Sequence, residues 1–278
     1  MITVNIIEER TTPLTKLLKK QFVPSPSPHI RLSLISYEVG GLIVKGYMAE
    51  PKTEEPLPGL LYLRGGIKRV GMVRPARMIQ WAMEGFIVVA PFYRGNWGGE
   101  GQEDFAGVDR EDAFAAFDLL AEHPNVIPSQ IHVFGFSRGG VMALLCGIYR
   151  SVASVTTWNG VSDMVLTYEE RVDLRRMMKR VIGGTPGKKP AAYAARTPLH
   201  EIALITTPVL IVHGKLDENV SFEHARRLEA RLIEEGKPYE AWYFPAYSHQ
   251  FPAQEHRKIL TKAANWMKQH NTQPTRPS

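Results

Sequence analysis

With 278 residues, 44% of them hydrophobic, the chain has material for one large α/β core or two small ones. Its formal charge of +6 is modest, and apart from short clusters at 171–180 and Lys188-Lys189 the basic residues are scattered. No basic stripe or nucleic-acid module is legible, so no nucleic-acid partner is expected. The single cysteine, Cys146, excludes an internal disulfide and reads as a small buried apolar residue.

No apolar run reaches the length of a membrane span. The apolar start, Met1 to Ile7, runs directly into Glu8-Glu9-Arg10 without a basic leader or cleavage site. A cytoplasmic protein without membrane attachment is therefore expected. Leu14, Leu17, Leu18 and Phe22 recur at helical spacing with Lys16, Lys19 and Lys20 between them. This predicts an amphipathic helix packed on the main domain. Pro24-Ser25-Pro26-Ser27-Pro28 breaks any helix, so residues 1–29 read as an N-terminal appendage and linker.

Partial alternation over 30–38 and 42–48, around Gly40-Gly41, predicts a hairpin. A buried strand over 59–63 leads into Arg64-Gly65-Gly66, followed by a helix over 76–84 and a strand over 86–90. Glycine-rich residues 96–101 precede a helix over 109–121 that carries Ala113, Phe114, Phe117 and Leu120 on its apolar face. Next come an apolar run at 131–136, helical spacing at 141–145, a strand at 152–158 and a basic helical segment at 163–182. A strand at 208–213, an amphipathic helix at 222–235, a strand at 239–244, a helix at 254–268 and a polar tail at 271–278 complete the pattern. Alternating strands and helices imply a parallel sheet covered on both faces. The expected fold is α/β: a mostly parallel twisted sheet of about eight strands, with an antiparallel edge hairpin. One domain spans 30–270, with 161–206 inserted over the site.

Between the 131–136 run and its following helix lies Gly135-Phe136-Ser137-Arg138-Gly139, a G-x-S-x-G match. A serine at a strand-to-helix elbow needs neighbours without side chains, and the turn presents its hydroxyl beside the first helical amides. A serine needs a base, and the base needs a group that fixes its tautomer. In a parallel sheet these partners belong in loops after later strands. Asp217, after the 208–213 strand, is the acid candidate, with Glu218 and Asp163 as rivals. His249, in Pro245-Ala246-Tyr247-Ser248-His249 after the last strand, is the base candidate. His213 reads as structural and His256 falls within the last helix; His29, His123, His200, His224 and His270 sit in loops, on helix faces or in the tail. The order Ser137, Asp217, His249 suits this type of elbow. Oxyanion donors are expected from the Arg138 amide and from the loop after Leu63, with Gly66 favoured and Gly65 as rival. This chemistry requires neither a cofactor nor a metal.

These residues resemble the α/β-hydrolase fold, and more narrowly the catalytic domain of the prolyl oligopeptidase family of serine peptidases. The resemblance runs from about residue 30 to residue 268. It includes Tyr93-Arg94-Gly95, Asp109-Arg110-Glu111-Asp112, the elbow, Asn159-Gly160-Val161-Ser162-Asp163, Ile182-Gly183-Gly184-Thr185-Pro186, Thr197-Pro198-Leu199, His213-Gly214 and Ser248-His249. It implies the triad roles for Ser137, Asp217 and His249. Two positions depart from the family pattern: Arg138 stands where tyrosine is common, and Arg64 where histidine is common. Both arginines are expected at the mouth of the site, lining its rim or binding an acidic substrate. The family's N-terminal propeller, which supplies the acidic residues that bind a free amino terminus, has no counterpart in residues 1–30. Aminopeptidase specificity is therefore not carried over.

The expected activity is hydrolysis of small carboxylic esters or short acyl-peptides through an acyl-enzyme. Esters rank above amides because expelling an amine demands stronger acid catalysis and tighter positioning. Alternatives are an oligopeptidase of the prolyl oligopeptidase type, an acyltransferase using the same triad, and a binding module that kept the fold. Trp97, Trp158 and the 161–206 segment are expected to shape the pocket.

Overall fold

Ser154–Trp158 and Val209–Gly214 are buried at every residue, so neither strand has a solvent face. Such strands are stable only when helices cover both sides of the sheet. The computed structural model describes residues 15–271. Its strands are β1 (Leu17–Val23), β2 (Ile30–Val39), β3 (Leu42–Pro51), β4 (Leu57–Leu63), β5 (Ile87–Pro91), β6 (Val126–Phe136), β7 (Ser154–Trp158), β8 (Val209–Gly214) and β9 (Tyr239–Phe244). They form one sheet in the order β1-β2-β3-β5-β4-β6-β7-β8-β9. The pairs from β1 to β3 and the β3–β5 pair are antiparallel. The remaining pairs, from β5–β4 through β8–β9, are parallel.

The helices are α1 (Pro75–Ala82), α2 (Arg110–Ala121), α3 (Gly139–Tyr149), α4 (Met164–Glu170), α5 (Arg175–Ile182), α6 (Pro190–Ala194), α7 (Phe222–Glu234) and α8 (Ala253–Gln269). Successive strand residues feed two separate cores, as the period of two requires. Leu61, Val133, Val155 and Ile211 pack with Phe117 of α2, Leu144 of α3 and Leu228 of α7. Leu60, Phe134, Trp158 and Leu210 pack on the other face with Trp81 of α1 and Leu260 and Trp266 of α8. Helices α4, α5 and α6 lie between β7 and β8, within the segment expected as an insertion.

The N-terminal expectation needs correction. Residues 17–23 form an edge strand paired with β2, from Leu17↔Tyr37 to Val23↔Leu32, and make the ninth strand. The boundary at residue 29 thus cuts within the sheet. Leu18 and Phe22 are 41% and 66% exposed, so no apolar face is available to hold a helix against the domain. Backbone bonds to the open β2 edge override the helical spacing. Leu14, the first residue of that pattern, and the tail beyond Asn271 lie outside the described residues. No helix among the described residues is long and apolar enough to cross a membrane.

His132 on β6 is fully buried, with Nδ1 2.8 Å from Ser154 Oγ and Nε2 2.9 Å from Asn271 Oδ1. Burial disfavours the cation and pulls its pKa from 6.5 to about 4. The unfolded chain therefore takes up a proton near pH 6.5 that the folded chain refuses until about pH 4. Stability is full above this window and falls as pH drops through it, by up to about 3 kcal/mol for this group. His132→Gln should flatten the change in urea midpoint between pH 7 and pH 4.5. An unchanged slope would show that His132 does not carry the effect.

Candidate active site

Strand β6 and helix α3 meet at a distance that side chains would prevent. A Cβ on Gly135 would lie 2.1 Å from the Gly139 carbonyl oxygen, and one on Gly139 would lie 2.1 Å from that of Leu63. The chain between them reverses with Ser137 at φ 56°, in the left-handed region. That conformation costs a non-glycine residue roughly 1–3 kcal/mol and persists only where its surroundings enforce it. Three backbone bonds do so: the Ser137 amide donates to Trp158 O (3.2 Å), and its carbonyl accepts from Gly140 (2.9 Å) and Val161 (2.9 Å).

His249 and Asp217 come together from loops after β9 and β8. His249 Nδ1 lies 2.7 Å from Asp217 Oδ2, and the Asp217 side chain is fully buried. The other carboxylate oxygen accepts from the amides of Asn219 (2.8 Å) and Val220 (3.0 Å). One carboxylate oxygen thus holds two amides and the other the ring, and these three bonds fix Asp217 as an acceptor for His249. The His249 ring lies 4.8 Å from that of Phe136, the residue before Ser137. Ser137 and His249 line the same cavity. Of the rivals, Asp163 caps α4 and pairs with Arg227 (2.7 Å), and Glu218 has no part in the His249 contact. His213 bonds the Val220 carbonyl at 2.9 Å, the structural use expected of it.

Asn159, quoted above only as part of a motif, fastens this arrangement. Its Oδ1 accepts from Gly214 N at the end of β8 (2.9 Å), and its Nδ2 donates to the carbonyls of His249 (2.9 Å) and Ser248 (3.3 Å). One amide therefore ties the histidine loop to the end of the strand that precedes Asp217. Asn159 adopts φ 46°, and Asn159-Gly160 directly after an apolar strand run is the sequence signal that could have found it.

The loop after β4 closes against the serine. A Cβ on Gly65 would lie 2.6 Å from Ser137 Cβ, and Gly66 has φ 65°. Arg64 and Arg138, expected at the mouth, contribute to the cavity wall but are buried beneath it, at 1% and 2% exposure. Arg64 pairs with Glu103 at 2.5 Å and donates to the carbonyls of Phe92 (2.8 Å) and Gly65 (2.9 Å). Arg138 pairs with Glu103 (2.8 Å) and Asp109 (3.1 Å). Both guanidiniums lie over Tyr93, at 5.0 and 4.7 Å from its ring centre. A buried cation requires buried anions, and Glu103, 6% exposed, takes both arginines and the side-chain amide of Asn96. Burial also raises Asp109 to about 6, despite the pull of Arg138.

The cavity holds about 590 Å³. Phe105, Val161, Leu174 and Met177, which belong to one of the two cores, line it together with Tyr62, Trp81, Phe134 and Trp158 of the other. Residues from 161–206 do contribute, and Trp158 does as expected. Trp97 does not: it is 57% exposed and packs on Tyr47 and Phe92. Among the described residues, no group of three or more His, Cys, Asp or Glu is arranged to hold a metal ion.

The Prolyl oligopeptidase family pattern matches residues 73–273, most of the chain. This chain belongs to the prolyl oligopeptidase family. It is 57% identical over 254 residues to the uncharacterized peptidase YtmA of Bacillus subtilis, covering 91% of this chain and 99% of that protein. The fold is that of Pyrococcus horikoshii acylaminoacyl peptidase (TM-score 0.74, 19% identity), where the match covers 91% of this chain and 41% of the other. Acetyl xylan esterase 1 from Thermoanaerobacterium sp. JW/SL YS485 shares it too (TM-score 0.70, 16% identity; 93% and 89% covered). The fold is therefore an α/β-hydrolase, and family membership makes the chain a serine hydrolase acting on peptides or esters.

Glu103 gives a direct check on the buried charges. Glu103→Ala leaves two buried guanidiniums short of a partner, and should destabilise the protein by roughly 3–5 kcal/mol in urea titration. A loss below about 1 kcal/mol would mean that the cluster carries no such weight.

Proposed function

We propose that Ser137, His249 and Asp217 act as nucleophile, base and orienting acid in hydrolysis of small carboxylic esters or short acyl-peptides. The observation that carries this reading is the 2.7 Å bond from His249 Nδ1 to a buried Asp217, in a cavity that also contains the elbow serine. With Nδ1 committed to Asp217, Nε2 is left as the ring's basic nitrogen. It takes the Ser137 proton as Oγ adds to the carbonyl carbon. The same proton passes to the leaving alcohol or amine as the acyl–oxygen or acyl–nitrogen bond breaks. Water then adds to the acyl-enzyme by the same route and releases the acid.

The oxyanion that forms at each addition is assigned to the amides of Arg138 and the 65–66 loop. Gly65 abuts Ser137, and its carbonyl is turned to Arg64 Nη1. Across a trans peptide the following N–H points the opposite way, away from Arg64. This favours Gly66 over Gly65 as the donor. Arg64 in this reading is a positioning residue, holding the peptide that presents the donor.

Amide substrates are the second reading, favoured by the designation of the 57%-identical relative as a peptidase. Matched p-nitrophenyl esters and p-nitroanilides of one acyl group separate the two. The proposal expects kcat/KM to favour the ester by far more than the intrinsic reactivity difference. Ser137→Ala should lower kcat by a factor of roughly 10⁴ or more, and Asp217→Asn by roughly 10³–10⁴. Turnover that survives Ser137→Ala would remove the serine from the mechanism.

A further inference from the structure

The cavity remains cationic even though Arg64 and Arg138 are neutralised beneath it. Among the described residues, no aspartate or glutamate lines it. Of its arginines, Arg64 and Arg138 pair with Glu103 and Asp109, and Arg171 is held by Asp173 through bonds of 2.9 and 2.7 Å. Arg74 and Arg77 line the same space and have no carboxylate partner among the described residues. They flank the start of α1 at i,i+3 spacing, where the Arg77 amide donates to Arg74 O (2.9 Å). Arg74 is the extended residue that caps α1 and Arg77 lies in its first turn, and both side chains line the cavity.

The neighbours of this pair offer no compensating charge. Arg77 Nη1 contacts the His256 ring at 2.6 Å. Burial and the adjacent Arg77 hold His256 down to about 4, so the ring is neutral at working pH. Arg257, the next cation along, is already paired with Glu84 at 2.9 Å. Behind the arginines stands the aromatic wall, with Tyr62 and Trp81 packed on Phe134 at 5.2 and 5.0 Å. Burial raises the Tyr62 phenol, while Arg77 and Arg74 pull it back, so both guanidiniums act at its hydroxyl.

An unpaired guanidinium against an apolar wall is poorly solvated and gains most from a planar anion that fits its fork. The same field repels an ammonium group. We propose that the cavity selects substrates that carry a carboxylate, held by Arg77 and Arg74, with an apolar or aromatic body against the wall formed by Tyr62, Trp81 and Phe134. Turnover of such a substrate rests on the Ser137 reading; its binding does not. Hydrolysis consumes one water and yields an acid plus an alcohol or amine, with the recognised carboxylate unchanged on one product.

Calorimetric titration with phenylbutyrate and its neutral amide, phenylbutyramide, tests binding alone. The acid should bind about tenfold or more tightly, and added salt should narrow the gap. Arg74→Ala/Arg77→Ala should abolish the preference, Arg74→Lys/Arg77→Lys should keep much of it, and Ser137→Ala should retain it. Equal binding of acid and amide, binding of neither, or a preference that survives the alanine pair would overturn the proposal. In turnover, the kcat/KM ratio of mono-p-nitrophenyl glutarate to p-nitrophenyl valerate should fall at least tenfold in the alanine pair. Because Ser137→Ala is read by binding, loss of the hydrolase reading and loss of carboxylate selection give different results.

Discussion

The approach of α3 to β4 and β6 through bare backbone is the constraint on which the rest of the site depends. Gly135 lets the end of β6 meet the Gly139 carbonyl of the helix, and Gly139 lets the helix start meet the Leu63 carbonyl of β4, at distances no Cβ tolerates. This leaves Ser137 one conformation, at positive φ, and places the amide of Arg138 beside it. The same closeness extends outward. Gly65 presses on Ser137 from the loop after β4, and a Cβ on Gly140 would lie 2.6 Å from Gly160 Cα in the loop after β7. The ends of three parallel strands, β4, β6 and β7, are thereby fixed around one side chain.

Polar groups hold what the glycines bring together. Asn159 links the histidine loop to β8, Asp217 accepts from two amides and one imidazole, and Glu103 joins the two arginines under the glycine loop. Each is a buried group whose partners are supplied, which is the condition under which burial of charge is tolerable. The positive φ of Ser137 is held separately, by its backbone bonds to Trp158, Gly140 and Val161.

Much of this was legible in the residues themselves. The parallel core, the elbow and the loops that bring His249 to Asp217 follow from strand and helix periodicity and from chain order. What the sequence concealed was pairing in three dimensions. Leu17, Leu18 and Phe22 have helical spacing, yet an open strand edge recruits their backbone. Arg64 and Arg138 flank the critical residues in sequence and suggested a charged mouth. Glu103, distant from both in the chain and set in a glycine-rich stretch, draws them inward instead. Arg74 and Arg77, beside a proline at the start of a short helix, carried no motif, and their significance comes from the lack of any aspartate or glutamate among the described residues that line their cavity.

The central claim is that Ser137 is an activated nucleophile, and intact mass after treatment with a fluorophosphonate tests it most directly. The account predicts a single adduct on the wild-type protein and none on folded Ser137→Ala. An unmodified, folded wild-type protein would contradict it, and so would an adduct that persists when Ser137 is replaced.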